Sequence, residues 1–127
     1  MEFGAVIFTI RLEQLTAFYE ALLGATTVER SSDHVTLARG GLRLTIHRVP
    51  DPYAKQIAVT TPPTPREGSA VKLAFGVDSI DEARTVARRY GGDLRDDTWS
   101  SDERTLCEGY DFDGNVIQVW TITTRAG

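Results

Sequence analysis

Leu12-Glu13-Gln14-Leu15-Thr16-Ala17-Phe18-Tyr19-Glu20-Ala21-Leu22-Leu23-Gly24 spaces Leu12, Leu15, Phe18, Tyr19, Leu22 and Leu23 at steps of three and four. That period predicts an amphipathic helix, and the glycine behind it suits a left-handed cap. The pattern returns 68 positions later, where Leu12, Leu15, Phe18, Leu22 and Gly24 fall on Ile80, Ala83, Val86, Tyr90 and Gly92. The second copy opens with Ser79-Ile80-Asp81-Glu82, a capping box that starts a helix whose apolar face is Ile80, Ala83, Val86, Ala87 and Tyr90.

Working outward, each helix follows a run rich in branched and aromatic residues, 4–10 in the first copy and 71–77 in the second. Three further strands are predicted behind each helix: 26–29, 34–37 and 42–47, then 93–95, 105–109 and 116–122. The turns between them carry Ser31-Ser32-Asp33, Arg39-Gly40-Gly41 and Asp113-Gly114-Asn115. Both copies therefore read β-α-β-β-β, the signature of a duplicated unit. All five prolines lie between Pro50 and Pro65, and proline lacks the amide donor a central strand needs. The expected organisation is a single domain over 1–127, with one module at about 1–48, a Pro-rich linker at about 49–70 and a second module at about 71–127. Ile57-Ala58-Val59-Thr60 is expected to pair as a short edge strand inside the linker.

The chain has 127 residues, 14 Lys plus Arg against 18 Asp plus Glu, and a formal net charge of −4. Its longest basic run is Arg88-Arg89, which argues against nucleic acid or an anionic membrane as partner. Met1-Glu2-Phe3-Gly4 carries an acid, and the apolar run before Arg11 is too short for a secretory or spanning segment, so a cytoplasmic location is expected. A single Cys107 excludes an internal disulfide framework and a Cys-cluster zinc site. In its strand pattern Cys107 reads as a partly buried, inert thiol.

Three segments carry a family resemblance: Leu12-Glu13 leading into Phe18 to Gly24, Val77-Asp78-Ser79-Ile80-Asp81-Glu82-Ala83, and Asp111-Phe112-Asp113-Gly114-Asn115-Val116-Ile117-Gln118. They resemble the vicinal oxygen chelate superfamily, which holds glyoxalase I, the extradiol dioxygenases, fosfomycin-resistance enzymes and bleomycin-binding resistance proteins. Phe112 stands where the family's Asp-Pro-Asp-Gly-Asn turn has proline. The resemblance implies an α+β fold in which two paired β-α-β-β-β modules form a curved mixed-sheet cup with the helices on the outer face. Function in such a fold is set by the cup, so the fold names no reaction.

Strand alternation assigns the faces. Val71, Leu73, Phe75 and Val77 are expected to pack on the helix, leaving Lys72, Ala74 and Gly76 to the cup. Gly4, Val6 and Phe8 match them in the first module, joined by Arg43, Thr45 and His47 and by Val116, Gln118 and Trp120. Metal-dependent members of the superfamily place His, Glu or Gln at four cup positions, which align here with Gly4, Thr45, Lys72 and Gln118. Only Gln118 fits, since glycine has no donor, neutral threonine is a poor one and an ammonium repels a cation. A one-residue slip offers Phe3 or Ala5, Leu44 or Ile46, Val71 or Leu73, and Ile117 or Val119, none of them a ligand. No metal and no cofactor are expected, which counts against glyoxalase, dioxygenase and metal-dependent thiol transferase chemistry.

The candidate ligand-binding residues are Phe8, Thr45, Lys72, Ala74, Gly76, Trp99, Gln118 and Trp120. Phe8, Trp99 and Trp120 would clamp a flat ligand, as the likeness to bleomycin-binding proteins implies; otherwise Trp120 is buried at an interface and Trp99 stands on a solvated acidic loop, Asp96 to Glu103. Lys72 would meet an anionic or enolisable group, or else snorkel to the rim or pair with Glu108. His47 and Glu108 are weak candidates for proton transfer. Three functions follow: a metal-independent binder of an apolar or aromatic small molecule, a metal-free isomerase or lyase using Lys72, or a structural module without a ligand. A homodimer is expected, with the linker strand against the partner.

Overall fold

The computed structural model describes residues 1–54 and 57–122. The first module runs β1 (Phe3–Thr9), α1 (Leu12–Leu23), β2 (Thr26–Arg30), β3 (His34–Arg39) and β4 (Leu42–Arg48). Its sheet has the order β1-β4-β3-β2, with β1 parallel to β4 and the other pairs antiparallel. A short helix, α2 (Asp51–Ala54), opens the linker. The second module contains β5 (Leu73–Gly76), α3 (Ile80–Arg89), β6 (Asp93–Leu94), β7 (Trp99–Ser101), β8 (Arg104–Tyr110) and β9 (Val116–Ile122). Its sheet has the order β5-β9-β8-β6, with β7 also on β8 and β5 parallel to β9. The fold is α+β, two mixed sheets forming the curved cup.

Local chemistry explains the helices. Gly24 closes α1 at φ 59, a left-handed conformation that glycine adopts without strain. Ser79 caps α3 by accepting from the Glu82 amide at 3.1 Å, and acids in the first turn with arginines in the last complement the helix dipole. Leu12, Leu15, Phe18, Tyr19, Leu22 and Leu23 are all buried beneath the first sheet, and Ile80, Ala83 and Ala87 beneath the second. Each large apolar side chain buried there contributes roughly 1.5–3 kcal/mol. Tyr19 stands edge-on to Phe18 at 5.1 Å and to Phe75 at 5.9 Å, so the first helix reaches into the second module.

A polar clamp joins the modules beside that contact. Arg11, just before α1, donates to Asp113 Oδ1 at 2.9 Å and to the Phe112 carbonyl at 2.5 Å, with its guanidinium 3.7 Å from the centre of the Phe112 ring. Tyr19 donates to Asp111 Oδ2 at 2.5 Å, and Asp111 also accepts from the backbone amides of Asp113 and Asn115 and from the Asn115 side chain. Burial pushes the carboxyl of Asp111 above its ordinary value against the pull of these donors, and pushes the phenol of Tyr19 well above its own.

Four expectations need correcting. Residues 57–60 form no strand: the Ile57 amide caps the carbonyl of Ala54, and Thr60 bonds into its own turn, to the Pro62 carbonyl and Thr64. β5 begins only at Leu73, the first residue paired with β9, so Val71 lies before the ladder and is 71% exposed instead of packing on the helix. Tyr90 follows the last turn of α3 and is exposed, leaving the helix face to Ile80, Ala83 and Ala87, with Val86 partly buried against the same core. The second module carries an extra strand, β7, where a loop is expected. Elsewhere the faces are as the alternation requires, with Leu44, Ile46, Ile117 and Val119 in the core. Among the described residues no helix is long and apolar enough to cross a membrane.

Candidate functional site

The faces of the two sheets turned away from the helices make up the cup. Register arranges its side chains in rows, because residues paired across strands share a face. One row in the first sheet is Gly4, Arg43 and Ala38, and the next is Val6, Thr45 and Thr36, where Thr36 and Thr45 join their hydroxyls at 2.9 Å. Beyond it stand Phe8, His47 and His34. In the second sheet Ala74, Gln118 and Glu108 make one row, and Gly76, Trp120, Leu106 and Trp99 make the next.

The two sheets meet at β1 and β5 without hydrogen-bonding to each other. The amide of Phe3 and the carbonyl of Thr9 bond toward the β4 side, and the amide of Val77 bonds to Trp120 on β9. Alternation then turns the backbone groups of Gly4, Val6 and Phe8, and of Ala74 and Gly76, to the seam. A cavity of about 620 Å³ opens along one end, bounded by Phe3, Ala5 and Leu42, by Leu23, Arg39 and the Gly40-Gly41 turn, and by Lys72 to Gly76. A second cavity of about 290 Å³ lies at the other end, between Val6, Ile7 and Phe8 and the stretch containing Val71 and Leu73, with Tyr19, Arg66 and Asn115 at its walls. The start of β1 thus lies beside the end of β5, so the strands run in opposite directions across the seam.

Lys72, Ala74 and Gly76 line the larger cavity and Phe8 the smaller, whereas Thr45, Gln118, Trp99 and Trp120 line neither. Lys72 Nζ contacts Glu108 Oε2, the pairing considered from the sequence. Glu108 is registered opposite Gln118, which brings these three polar groups together. A Cβ on Gly76 would meet the Trp120 ring at 3.0 Å, so the missing side chain is what lets the indole lie against the floor. The guanidinium of Arg104 sits 4.3 Å from the centre of that ring.

Phe8 belongs to the first sheet, where its ring meets His47 at 5.6 Å, while Trp99 and Trp120 share a row of the second. Trp99 is 42% exposed on β7, and Asp96 near it is bound by Arg88 and Arg84 of α3, which turns that acidic charge to the outer face. Arg88 holds the carboxyl of Asp96 below its ordinary value. His47 stacks on His34 at 5.9 Å, and its Nδ1 lies 2.8 Å from the Arg48 carbonyl; facing an acceptor, Nδ1 carries the proton and Nε2 is the nitrogen left to act. Cys107 is fully buried, its Sγ 3.1 Å from the Arg95 carbonyl, and burial raises its thiol above the ordinary range.

Gly4, Thr45, Lys72 and Gln118 share the concave face but do not fit a divalent cation, because they offer one amide oxygen, one hydroxyl and an ammonium already paired with Glu108. Among the described residues no group of three His, Cys, Asp or Glu side chains could hold a metal ion. Sequence reasoning missed Arg104 and Leu106 in the cup, though the alternation that places Glu108 there also places them. It put Arg43 on the right face without giving it a role.

Comparison with known proteins follows this geometry. The glyoxalase-like domain family matches residues 5–119. The chain belongs to that family. No curated protein matches it. Its fold is shared by a glyoxalase/bleomycin resistance protein/dioxygenase family enzyme from Burkholderia phytofirmans, at 22% identity over 94% of this chain and 96% of that one, with a TM-score of 0.71. A glyoxalase/bleomycin resistance protein from Albidiferax ferrireducens is similar at 21% identity, covering 93% and 95% of the two chains with a TM-score of 0.68. A glyoxalase-related enzyme from Fulvimarina pelagi is 20% identical over 95% and 87%, with a TM-score of 0.65. At such identities the likeness shows the fold alone, and with the family match it places this glyoxalase-like chain in the vicinal oxygen chelate superfamily.

Proposed function

We propose that this glyoxalase-like protein binds an apolar or aromatic small molecule in its cup without a metal, in the manner of a sequestering protein. The observation that carries the reading is the cavity of about 620 Å³ at one end of the seam, walled by Phe3, Ala5, Leu42, Leu73 and Phe75. Its volume falls within the roughly 300–1,000 Å³ typical of small-molecule sites. Such an opening disfavours a purely structural module, which would fill the cup with its own side chains. The chemistry of the four metal-aligned positions supports the metal-free part of the reading.

Titration of tryptophan fluorescence and melting temperature against a panel of planar natural products tests the proposal, run with and without added divalent cations. Saturable quenching with a matching thermal shift, unchanged by metal or chelator, is the expected result. A panel that leaves both signals flat, or binding that requires a metal, would refute it.

One observation favours a second reading, a metal-free isomerase or lyase: the pairing of Lys72 with Glu108 supplies a proton donor and an acceptor on the cup face. Exchange of substrate α-protons with solvent deuterium, abolished by Glu108→Gln, would favour catalysis over sequestration.

A further inference from the structure

Arg39 lines two cavities at once, the one of about 620 Å³ at the end of the seam and another of about 170 Å³. Two walls of the larger continue by one residue into the smaller: Leu23 of α1 leads to Gly24, and Gly76 of β5 to Val77. The two spaces therefore adjoin, with the Arg39 side chain on their border. Leu22, Val77, Ala83 and Val86 give the smaller cavity apolar sides, and Asp78 and Glu82 give it a polar edge.

Register and capping put the arginine there. Arg39 ends β3 opposite Leu42, and by alternation it shares the helix side of the sheet with the buried Val35 and Leu37. Its Nη1 donates to the carbonyl of Leu23, one of the last carbonyls of α1, which no further turn of helix can use. Gly24 leaves room for this bond, since a Cβ there would meet Nη1 at 3.3 Å. Nη2 lies 3.6 Å from Asp78 Oδ2, just ahead of α3. The side chain thus reaches from β3 past the end of α1 toward the start of α3. With one nitrogen on a carbonyl and the other near a carboxylate, the guanidinium is engaged by the protein, and what it presents to a ligand is bulk. The two side chains of the ion pair are 52% and 90% exposed, and such pairs contribute little, so the fold does not depend on this one.

We infer that Arg39 sets the length of ligand this protein accepts: an extended apolar molecule lies against Phe3, Leu42 and Phe75, and its far end is stopped by Arg39 short of the space between Leu22 and Val77. This inference rests on the binding function proposed above and adds a limit on the ligand's length and the residue that imposes it. The methylene stem of an arginine offers apolar surface, so the end that meets it is an alkyl group. Asp78 and Glu82 beyond the border would repel an anionic end in the same place. Each methylene buried before the border raises affinity about fourfold at most, and each one beyond it adds nothing while Arg39 is in place.

A homologous series of 4-alkylphenols, from ethyl to heptyl, tests this by isothermal titration calorimetry. In the native protein affinity is expected to rise with each methylene and then to stop rising at a definite length. In Arg39→Ala the rise is expected to continue for about two methylenes more, a gain of about tenfold for the longest members. Ala21→Phe fills the smaller cavity, which Ala21 lines. Alone it is expected to change nothing, and combined with Arg39→Ala it is expected to restore the stop. Circular dichroism checks that each variant is folded. Arg39→Gln, shorter but still able to donate to the Leu23 carbonyl, is expected to extend the rise as well and replaces Arg39→Ala if that variant does not fold. A series that never stops rising in the native protein, a stop at the same length without Arg39, a rise that survives in the double variant, or a stop shortened by Ala21→Phe alone overturns the inference and leaves the binding function standing. So does a series that stays silent while the planar compounds bind. If neither the series nor the planar compounds bind, the binding function fails and this inference with it.

Discussion

Thr9 donates its hydroxyl to Asp113 Oδ2 at 2.5 Å, joining residues 104 positions apart in a buried contact between the two modules. Asp113 accepts Arg11 on its other oxygen, and its side chain is only 2% exposed. Asp113→Ala would leave a guanidinium and a hydroxyl buried without their acceptor. Breaking a buried pair in this way costs about 3–5 kcal/mol, so urea unfolding should show a loss of that order for Asp113→Ala. Thr9→Val removes the hydroxyl that donates to Asp113 and accepts from the Arg11 amide at 2.9 Å, and is expected to cost about 1–3 kcal/mol. A double-mutant cycle combining Thr9→Val with Arg11→Met should depart from additivity, since both side chains bond to one carboxylate.

Tyr19 makes folding sensitive to alkali. Burial first, and then the carboxylate of Asp111, raise its phenol well above 10.0. A raised folded value means the native state keeps its proton after the unfolded chain has lost it. The contribution of Tyr19 is therefore complete below pH 10.0 and is lost as pH rises toward the folded value. Unfolding free energies measured on both sides of pH 10.0 should fall more steeply in the native protein than in Tyr19→Phe.

Lys72 and Glu108 pair where solvent reaches both, with side chains 41% and 30% exposed. Such pairs contribute about 0–1 kcal/mol, so Lys72→Met should leave the melting temperature nearly unchanged. A large loss of ligand affinity in the same variant would place Lys72 in the site. Unchanged affinity would confine it to the ion pair.

Phe3, Val6 and Phe8 of β1 are 66%, 57% and 60% exposed, and Val71 across the seam is 71% exposed. A run of apolar side chains at an open sheet edge invites a second copy of the chain. Light scattering is expected to give a mass of twice 14.0 kDa at micromolar concentration, and Val6→Glu with Phe8→Glu to halve it. A mass that stays at 14.0 kDa on concentration would rule the dimer out.

The parts of this fold that repeat with a short period were legible in the chain. Leu15, Phe18 and Leu22 announce α1, and the alternation through Leu44 and Ile46 assigns a face correctly because one register slip would bury Arg43. The linker was less legible: Ile57 to Thr60 looks like a strand by composition, yet its bonds go to α2 and a local turn. The clamp was invisible, because Thr9 and Asp113 are distant in sequence and each has an ordinary local reading, as a strand end and a turn residue. For the cup, the approach of Lys72 to Glu108 followed from face assignment alone. The separation of Phe8 from Trp99 and Trp120 did not, since it depends on how two sheets face each other across a seam that no local pattern encodes.

That seam has a mechanical consequence. Because β1 and β5 share no ladder bonds, spreading the sheets breaks no backbone hydrogen bond between them. Contacts between α1 and α3, with the clamp at Asp113, act as a spine behind the opening. Opening along the seam would therefore part side-chain contacts and leave the α1–α3 packing and the Asp113 clamp in place.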